Sequence, residues 1–154
     1  MSEPVESQPG FRILVLGTTP IARAVVSVGA AVGYDVAPFD ASALEGVAAV
    51  VLASHGGPGE DAALRATLAA EVPYIGLVAS RARGEGVVAA LDLDGADRDR
   101  IHTPAGLDIG AGTPEEVALA ILAEVVASRP RVPGQSRAAR GKRTCDHPAP
   151  APPD

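Results

Sequence analysis

The turn after the first apolar segment has the spacing of a nucleotide-binding motif. Gly17 and Ala22 occupy the first and third positions of the fingerprint G-x-G-x-x-G/A, which brings a pyrophosphate to a helix N-terminus. Thr19 stands at the second position, where a glycine would let the backbone approach the phosphate. The hydroxyls of Thr18 and Thr19 could themselves bond an anion. Alternatively, this is a strand–helix turn that needs Gly17 only for its geometry.

An acidic residue ends the second predicted strand. Asp40 follows Gly17 by 23 positions, where a carboxylate would accept hydrogen bonds from a ribose. This placement favours a free 2′-hydroxyl over a 2′-phosphate, and therefore NAD over NADP. The alternative role is capping, because the sequence D-A-S is also typical of a helix start.

Two further loops follow predicted strands and should face the same crevice. Ser54 and His55 open a glycine-rich loop that either contacts a ligand or is a plain connector. One histidine without a neighbouring Cys, Asp or second His predicts no metal site. Ser80, Arg81 and Arg83 follow the next strand, where they offer contacts to an anion or simply begin a solvated helix.

A constrained loop precedes the last predicted helix. In residues 102–112 three glycines, Gly106 among them, and one proline surround Asp108. This composition predicts a shaped backbone. Asp108 either binds a ligand or holds the amides of the loop in place, and we favour the structural role.

These loops need a sheet to position them. Apolar, partly β-branched runs predict strands at residues 11–16, 34–39, 48–53 and 73–78. Helical spacing predicts a first helix with Ile21, Val25, Val28 and Val32 inward and Gly33 closing it, and further helices at about 59–70 (with Leu64 and Leu68 inward), 81–91 and 96–101. Strands that alternate with helices predict an α/β, Rossmann-like, doubly wound parallel sheet with its ligand beyond the carboxyl ends of the strands.

The last helix has the clearest start signal. Thr113, Pro114 and Glu116 fit the N-cap, first and third positions of a capping box. An apolar stripe follows and should pack on the sheet; it consists of Val117, Ile121, Leu122 and Val125. Pro130 should end the helix.

Composition limits the class of protein. Hydrophobic residues make up 47% of the 154 residues and aromatic residues only 3%, which suits small side chains between closely packed layers. We expect one Rossmann-like domain at residues 11–129, a disordered leader at 1–10 and a disordered Pro/Arg-rich tail at 130–154. The net charge is −6, and five of the 13 basic residues lie in that tail. An acidic folded part argues against nucleic-acid binding.

Cellular location is predicted from three absences in the sequence. The single cysteine, Cys145, allows no intramolecular disulfide. The first ten residues have neither a basic nor an apolar region, as a signal peptide would, and no apolar run reaches the roughly 20 residues of a membrane span. We expect a cytoplasmic protein that does not enter a membrane.

Two segments make the sequence recognisable. PYIGLVASRAR (residues 73–83) and IHTPAGLDIGAGTPEEVALAILAEVVASR (residues 101–129) resemble the C-terminal Rossmann domain of the xanthine dehydrogenase accessory factor (XdhC/CoxI) family. The resemblance covers about residues 11–129. The Gly-Leu-Asp-Ile-Gly-Ala and Thr-Pro-Glu-Glu runs are specific to that family, whereas the turn at Gly17 is not.

The resemblance implies both a function and site residues. Family members help to mature molybdenum hydroxylases by binding molybdenum cofactor and assisting its sulfuration and insertion into xanthine or carbon monoxide dehydrogenases. The residues that match the family's nucleotide-fold, Gly-Ser-Arg and signature-loop positions are Gly17, Ala22, Asp40, Ser80, Arg81, Gly106, Asp108 and Gly110. The departures are Ala79 and Thr19 in place of glycines, and the loss of an acidic residue after His55.

The resemblance also implies partners. Full-length members carry an N-terminal domain with a cysteine implicated in cofactor handling, and Cys145 in the tail cannot be equated with it. We therefore expect a separate cysteine-bearing N-terminal-domain homologue and a molybdenum hydroxylase subunit as partners. A second copy of the chain is a further candidate.

Three hypotheses follow. The first is a maturation protein that holds a molybdopterin or NAD-like cofactor without catalysing turnover. The second is a nicotinamide-dependent oxidoreductase, which lacks support because there is no Tyr-x-x-x-Lys pair and the only lysine, Lys142, lies in the tail. Only His55, Tyr74 or Asp108 could then serve as a general acid. The third is a degenerate Rossmann module for protein contact. We favour the first and assign no catalytic residue.

Overall fold

The predicted strands come together as one parallel sheet in the computed structural model, which describes residues 11–130. The five strands are β1 (Arg12–Leu16), β2 (Asp35–Pro38), β3 (Ala49–Leu52), β4 (Tyr74–Leu77) and β5 (Ile101–His102). Their spatial order is β2-β1-β3-β4-β5, and every neighbouring pair is parallel. The leader at 1–10 and the tail beyond Pro130, with Cys145, lie outside the described residues.

Helices cover both faces of the sheet. They are α1 (Pro20–Ala31), a 3-10 helix (Ala41–Ala43), α2 (Pro58–Ala69), α3 (Arg81–Ala90), α4 (Gly95–Arg100) and α5 (Pro114–Ser128). Helices α1 and α5 pack together on one face, whereas α2 and α3 contribute to the apolar cluster on the other. The predicted doubly wound Rossmann fold is therefore confirmed.

Strand β1 supplies side chains to both layers because successive residues of a strand point to opposite faces. Ile13 and Val15 belong to the cluster under α1 and α5, and Leu14 belongs to the cluster under α2. All three are buried. A strand buried on both faces has no polar side, which explains the continuous apolar run from Ile13 to Leu16.

The predicted capping box of α5 is present. Thr113 Oγ1 accepts a hydrogen bond from the backbone N–H of Glu116 at 3.2 Å, and Glu116 Oε2 accepts from the N–H of Thr113 at 3.1 Å. Ile121 and Val125 of the predicted stripe are buried against the sheet. The helix ends at Ser128, two residues before Pro130, as the proline predicts.

Two sequence-based predictions differ from the structure. Val32, expected on the inward stripe of the first helix, is 57% exposed because α1 ends at Ala31 and Val32 only caps it. Ile101, expected at the end of a helix, begins strand β5 instead. This strand has two residues, too few for periodicity to be visible, and pairs with β4 at the edge of the sheet.

Two kinds of feature are absent between residues 11 and 130. None of the helices there has the length and apolar character that crossing a membrane requires. Nor does that part of the chain bring together three or more His, Cys, Asp or Glu side chains able to hold a metal ion.

Candidate functional site

One cleft lies where the sheet changes its winding direction. From β1 the chain passes to α1 on one face, and from the neighbouring strand β3 it passes to α2 on the other. Ligands of such sheets bind beyond the strand ends at this point. A cleft of about 420 Å³ is found there, lined by Thr19, Pro20, Ile21, Ala53, Ser54, His55, Val78, Ala79, Arg83 and Pro114.

Gly17 is required by a close approach of two backbone segments. Its φ is +113°, in the region that L side chains rarely adopt. A Cβ at this position would also overlap the carbonyl oxygen of Ala53, just beyond the end of β3. The positive φ and the close approach to Ala53 therefore explain why residue 17 is a glycine, and no bound phosphate is needed to explain it.

Thr19 caps α1 and ties it to the neighbouring strand end. Its Oγ1 accepts a hydrogen bond from the N–H of Ala22 at 3.2 Å and donates to the carbonyl of Ala53 at 2.7 Å. Of the other two residues predicted in this turn, Thr18 is exposed and Ala22 is buried in the first turn of α1. Only Thr19 of these three lines the cleft.

A buried carboxylate organises the polar side of the cleft. Ser54 Oγ donates to Glu60 Oε2 at 2.6 Å, and Arg83 Nη1 lies 2.6 Å from Glu60 Oε1. Arg83 Nη2 also donates to the carbonyl of Val78 at 3.0 Å. The Glu60 side chain is 4% exposed and that of Arg83 is 33% exposed, so a buried carboxylate holds an arginine that lines the cleft.

Sequence reasoning missed Glu60 altogether, whereas it named Arg83 as a contact to an anion or as part of a solvated helix start. A signal for Glu60 was present, because it lies in the first turn of α2, where a carboxylate is favoured by the helix dipole. Ser54 and His55, whose loop was expected to face the crevice, both line the cleft in the structure. His55 is exposed there.

Asp40, predicted to end the second strand, lies two residues beyond the end of β2, and the structure shows it in the capping role. Its Oδ1 accepts from the N–H of Ser42 at 2.9 Å and from Ser42 Oγ at 2.6 Å. These two hydrogen bonds hold the pKa of the Asp40 carboxyl below its usual value. Asp40 is exposed and is not among the residues that line the cleft.

The remaining predicted residues lie apart from the cleft. Ser80 caps α3, its Oγ accepting from the N–H of Arg83 at 3.3 Å. Arg81, Gly106 and Asp108 line a second cavity of about 440 Å³ beside α5. The site predicted from sequence therefore divides between two neighbouring cavities, one at the switch of the sheet and one at the loop 103–112.

The loop 103–112 is fastened to α5 through Glu124. Glu124 Oε1 accepts from the N–H of Gly106 at 3.1 Å and from the hydroxyl of Tyr74 at 2.8 Å, and the N–H of Leu107 donates to the carbonyl of Ala120 at 3.2 Å. Burial, reinforced by the bond to Glu124, raises the pKa of the Tyr74 phenol. The loop amides are thus held by Glu124 and Ala120, whereas Asp108 is exposed.

Known proteins resemble this chain in sequence and in fold. Over 66 residues, 41% of this chain, it is 35% identical to the uncharacterized protein YqeB of Escherichia coli (strain K12), of which the match spans 12%. A crystal structure of a xanthine dehydrogenase from Bacillus halodurans superposes with a TM-score of 0.62 and 18% identity, covering 91% of this chain and 46% of the other. The chain thus spans less than half the length of both relatives. Residues 13–125 match the XdhC Rossmann domain, and the chain belongs to that family.

Proposed function

We propose that this chain is an accessory protein in the maturation of molybdenum hydroxylases of the xanthine or carbon monoxide dehydrogenase type, acting in the cytoplasm. It holds a molybdopterin or nucleotide-like cofactor and does not turn it over. The observation that carries the proposal is the cleft at the switch point of an XdhC Rossmann domain. Family membership supports the accessory role, and the position of the cleft supports ligand binding.

The lining of the cleft suits a ring with one polar edge. Ile21, Val78 and Pro114 offer apolar surface to the faces of a ring, while Ser54 and Arg83 lie on the polar side. Small-molecule sites are usually of this kind, mostly apolar with a few placed polar groups. The molybdenum cofactor, when bound, supplies the redox centre of the recipient enzyme, and the residues of this chain hold and shield its pterin part.

Filling the cleft should abolish cofactor binding. Ala79 lines the cleft, and Ala79→Phe would occupy its volume. Ala89 lies in α3, is exposed and is not among the cleft residues, so that Ala89→Phe is the matched control. The measurement is the pterin fluorescence that elutes with the full-length protein after incubation with molybdenum cofactor.

We expect pterin to co-elute with the native protein and with Ala89→Phe, but not with Ala79→Phe. Thermal melting of both variants checks that they are folded. Retention of pterin by a folded Ala79→Phe variant would show that the pterin binds outside this cleft. If the native protein retained none, the cofactor-binding role itself would be wrong.

We also propose that the loop 103–112 contacts the partner proteins, a molybdenum hydroxylase subunit and a cysteine-bearing N-terminal-domain homologue. Leu107 and Ile109 are 41% and 53% exposed on this loop, beside the second cavity. Exposed apolar side chains next to a groove are typical of protein contact surfaces. The same observation supports the alternative function, a Rossmann module that serves protein contact only.

The partner proposal is tested by co-purification with each of the two named partners. Ile109→Asp should lose the partner, because a carboxylate would be desolvated in the interface. Val32→Asp is the control, since Val32 is equally exposed at 57% but lies at the opposite end of α1 from the cleft. Equal recovery with both variants would remove the loop from the interface.

A further inference from the structure

We propose that Thr19 determines which ligands the cleft accepts, because it closes the β1–α1 turn to phosphate groups. The inference rests on the proposed cofactor-binding role of this cleft and specifies the ligand class. The cleft takes a ring-shaped ligand held by its polar edge, and it rejects dinucleotides whose pyrophosphate must contact this turn.

Phosphate binding at such a turn needs unsatisfied donors at the helix N-terminus. Here the Thr19 hydroxyl donates to the carbonyl of Ala53, and the N–H of Ala22 donates to Thr19 Oγ1. Pro20, the first residue of α1, has no N–H. The N–H of Arg23 donates to the carbonyl of Thr19 at 3.0 Å. Of the donors at this turn, the Thr19 hydroxyl and the N–H groups of Ala22 and Arg23 are therefore already bonded within the protein, and Pro20 contributes none.

The β1–α1 turn also cannot move toward β3 to make space for a phosphate group. Gly17 lies so close to the carbonyl of Ala53 that a single added carbon would overlap it, and the Thr19 hydroxyl is bonded to the same carbonyl. The Thr19 side chain itself lines the cleft, at the position where the fingerprint has the glycine that lets the backbone approach a pyrophosphate. The hydrogen bonds of Thr19 and the volume of its side chain thus both oppose the binding of a pyrophosphate at this turn.

The polar groups that remain at the cleft lie on the side of β3 and α3. They are Ser54, His55 and Arg83, and the Glu60 carboxylate holds two of them in place. A ligand must therefore present its polar edge to this side, away from α1. This geometry favours a heterocycle with hydrogen-bonding atoms on one edge over a diphosphate-bridged dinucleotide.

Restoring the glycine should restore dinucleotide binding. Thr19→Gly removes the side chain and releases the N–H of Ala22, and glycine is itself a favoured N-cap residue, so α1 is retained. We expect NAD and ADP-ribose to bind roughly tenfold or more tightly to Thr19→Gly than to the native protein in calorimetry, since one hydrogen bond to a charged group is worth at least about that factor.

Three further variants make the test specific. Thr19→Ser keeps the hydroxyl and both of its bonds, so it should bind as weakly as the native protein. Thr19→Ala releases the Ala22 N–H without the flexibility of glycine, and should gain affinity even if Thr19→Gly does not fold. Thr113→Gly removes the corresponding cap of α5 and should gain nothing.

The proposal is overturned if the native protein binds NAD as tightly as Thr19→Gly, or if Thr19→Ser or Thr113→Gly gains as much. Its failure is distinguishable from failure of the proposed function, because pterin retention is a separate measurement. A protein that retains pterin and also binds NAD natively would refute the role of Thr19 alone. One that retains no pterin but gains NAD binding in Thr19→Gly would refute the cofactor role alone.

Discussion

The hydroxyl of Tyr74 donates a 2.8 Å hydrogen bond to Glu124, and this bond joins strand β4 to helix α5 beneath the loop 103–112. Tyr74 is 1% exposed. His102 stacks on its ring with centroids 4.4 Å apart and an interplanar angle of 16°. Since Glu124 also accepts from the N–H of Gly106, one carboxylate connects the buried sheet with the exposed loop.

This arrangement predicts a loss of stability in alkali. Burial raises the folded-state pKa of Tyr74 above the value of about 10 that an unfolded tyrosine has. The neutral phenol therefore contributes stability that is fully present below about pH 10 and is lost as the pH rises above it. We expect the melting temperature to fall more steeply between about pH 10 and pH 12 in the native protein than in Tyr74→Phe.

Tyr74→Phe should also cost about 1 kcal/mol at neutral pH, because Glu124 loses a donor. Urea denaturation measures this difference. Equal alkaline slopes for the two proteins would show that another group controls the transition.

The Glu60–Arg83 pair should contribute more to stability than an exposed pair on the same helix. Arg83→Met leaves a carboxylate that is 4% exposed without its charged partner, and we expect a loss of about 1–3 kcal/mol in urea denaturation. Arg65→Met breaks the exposed pair with Asp61 and should cost less than about 0.5 kcal/mol.

A double-mutant cycle separates the pair from its surroundings. Glu60→Gln combined with Arg83→Met should be less destabilising than the two single changes added together, because no unpaired charge remains. Additive losses would mean that Glu60 and Arg83 contribute independently.

Gly17 should tolerate no side chain. Gly17→Ala combines a positive φ of +113° with an overlap on the Ala53 carbonyl, and we expect it to cost more than about 2 kcal/mol in urea denaturation. Gly59 lies inside α2, where a Cβ would meet no atom within 4 Å. Gly59→Ala should therefore be neutral or stabilising by up to about 1 kcal/mol. Similar effects of the two changes would contradict the close approach at Gly17.

Asp40 should select between nucleotides once the turn is opened. In Thr19→Gly we expect NAD to bind severalfold more tightly than NADP, because the ionised Asp40 carboxylate, stabilised by Ser42, repels a 2′-phosphate. Asp40→Asn in that background should reduce the preference. Calorimetry at low ionic strength is required, because salt screens exposed charges. Equal affinities for the two dinucleotides in Thr19→Gly would exclude Asp40 from ribose recognition.

Local sequence determined the elements of the fold and the family. The runs that became β1, β3 and β4 are apolar apart from Arg12, which lies exposed at the start of β1, because those strands are otherwise buried. The residues Thr113 to Glu116 encode a helix start that needs no tertiary partner. Such signals act over a few neighbouring residues, which is why they could be read directly. Periodicity could not extend to β5 (Ile101–His102), which is too short to show a period.

The site depended on contacts between residues distant in sequence. The pairs Thr19–Ala53 and Glu60–Arg83 are separated by 34 and 23 positions, and neither partner's type predicts the other. Local sequence allowed the Thr19 hydroxyl to bond an anion, and only the position of the Ala53 carbonyl directs its proton into the protein. A hydroxyl has one proton to donate, so the packing of β3 against the β1–α1 turn decided what the sequence left open.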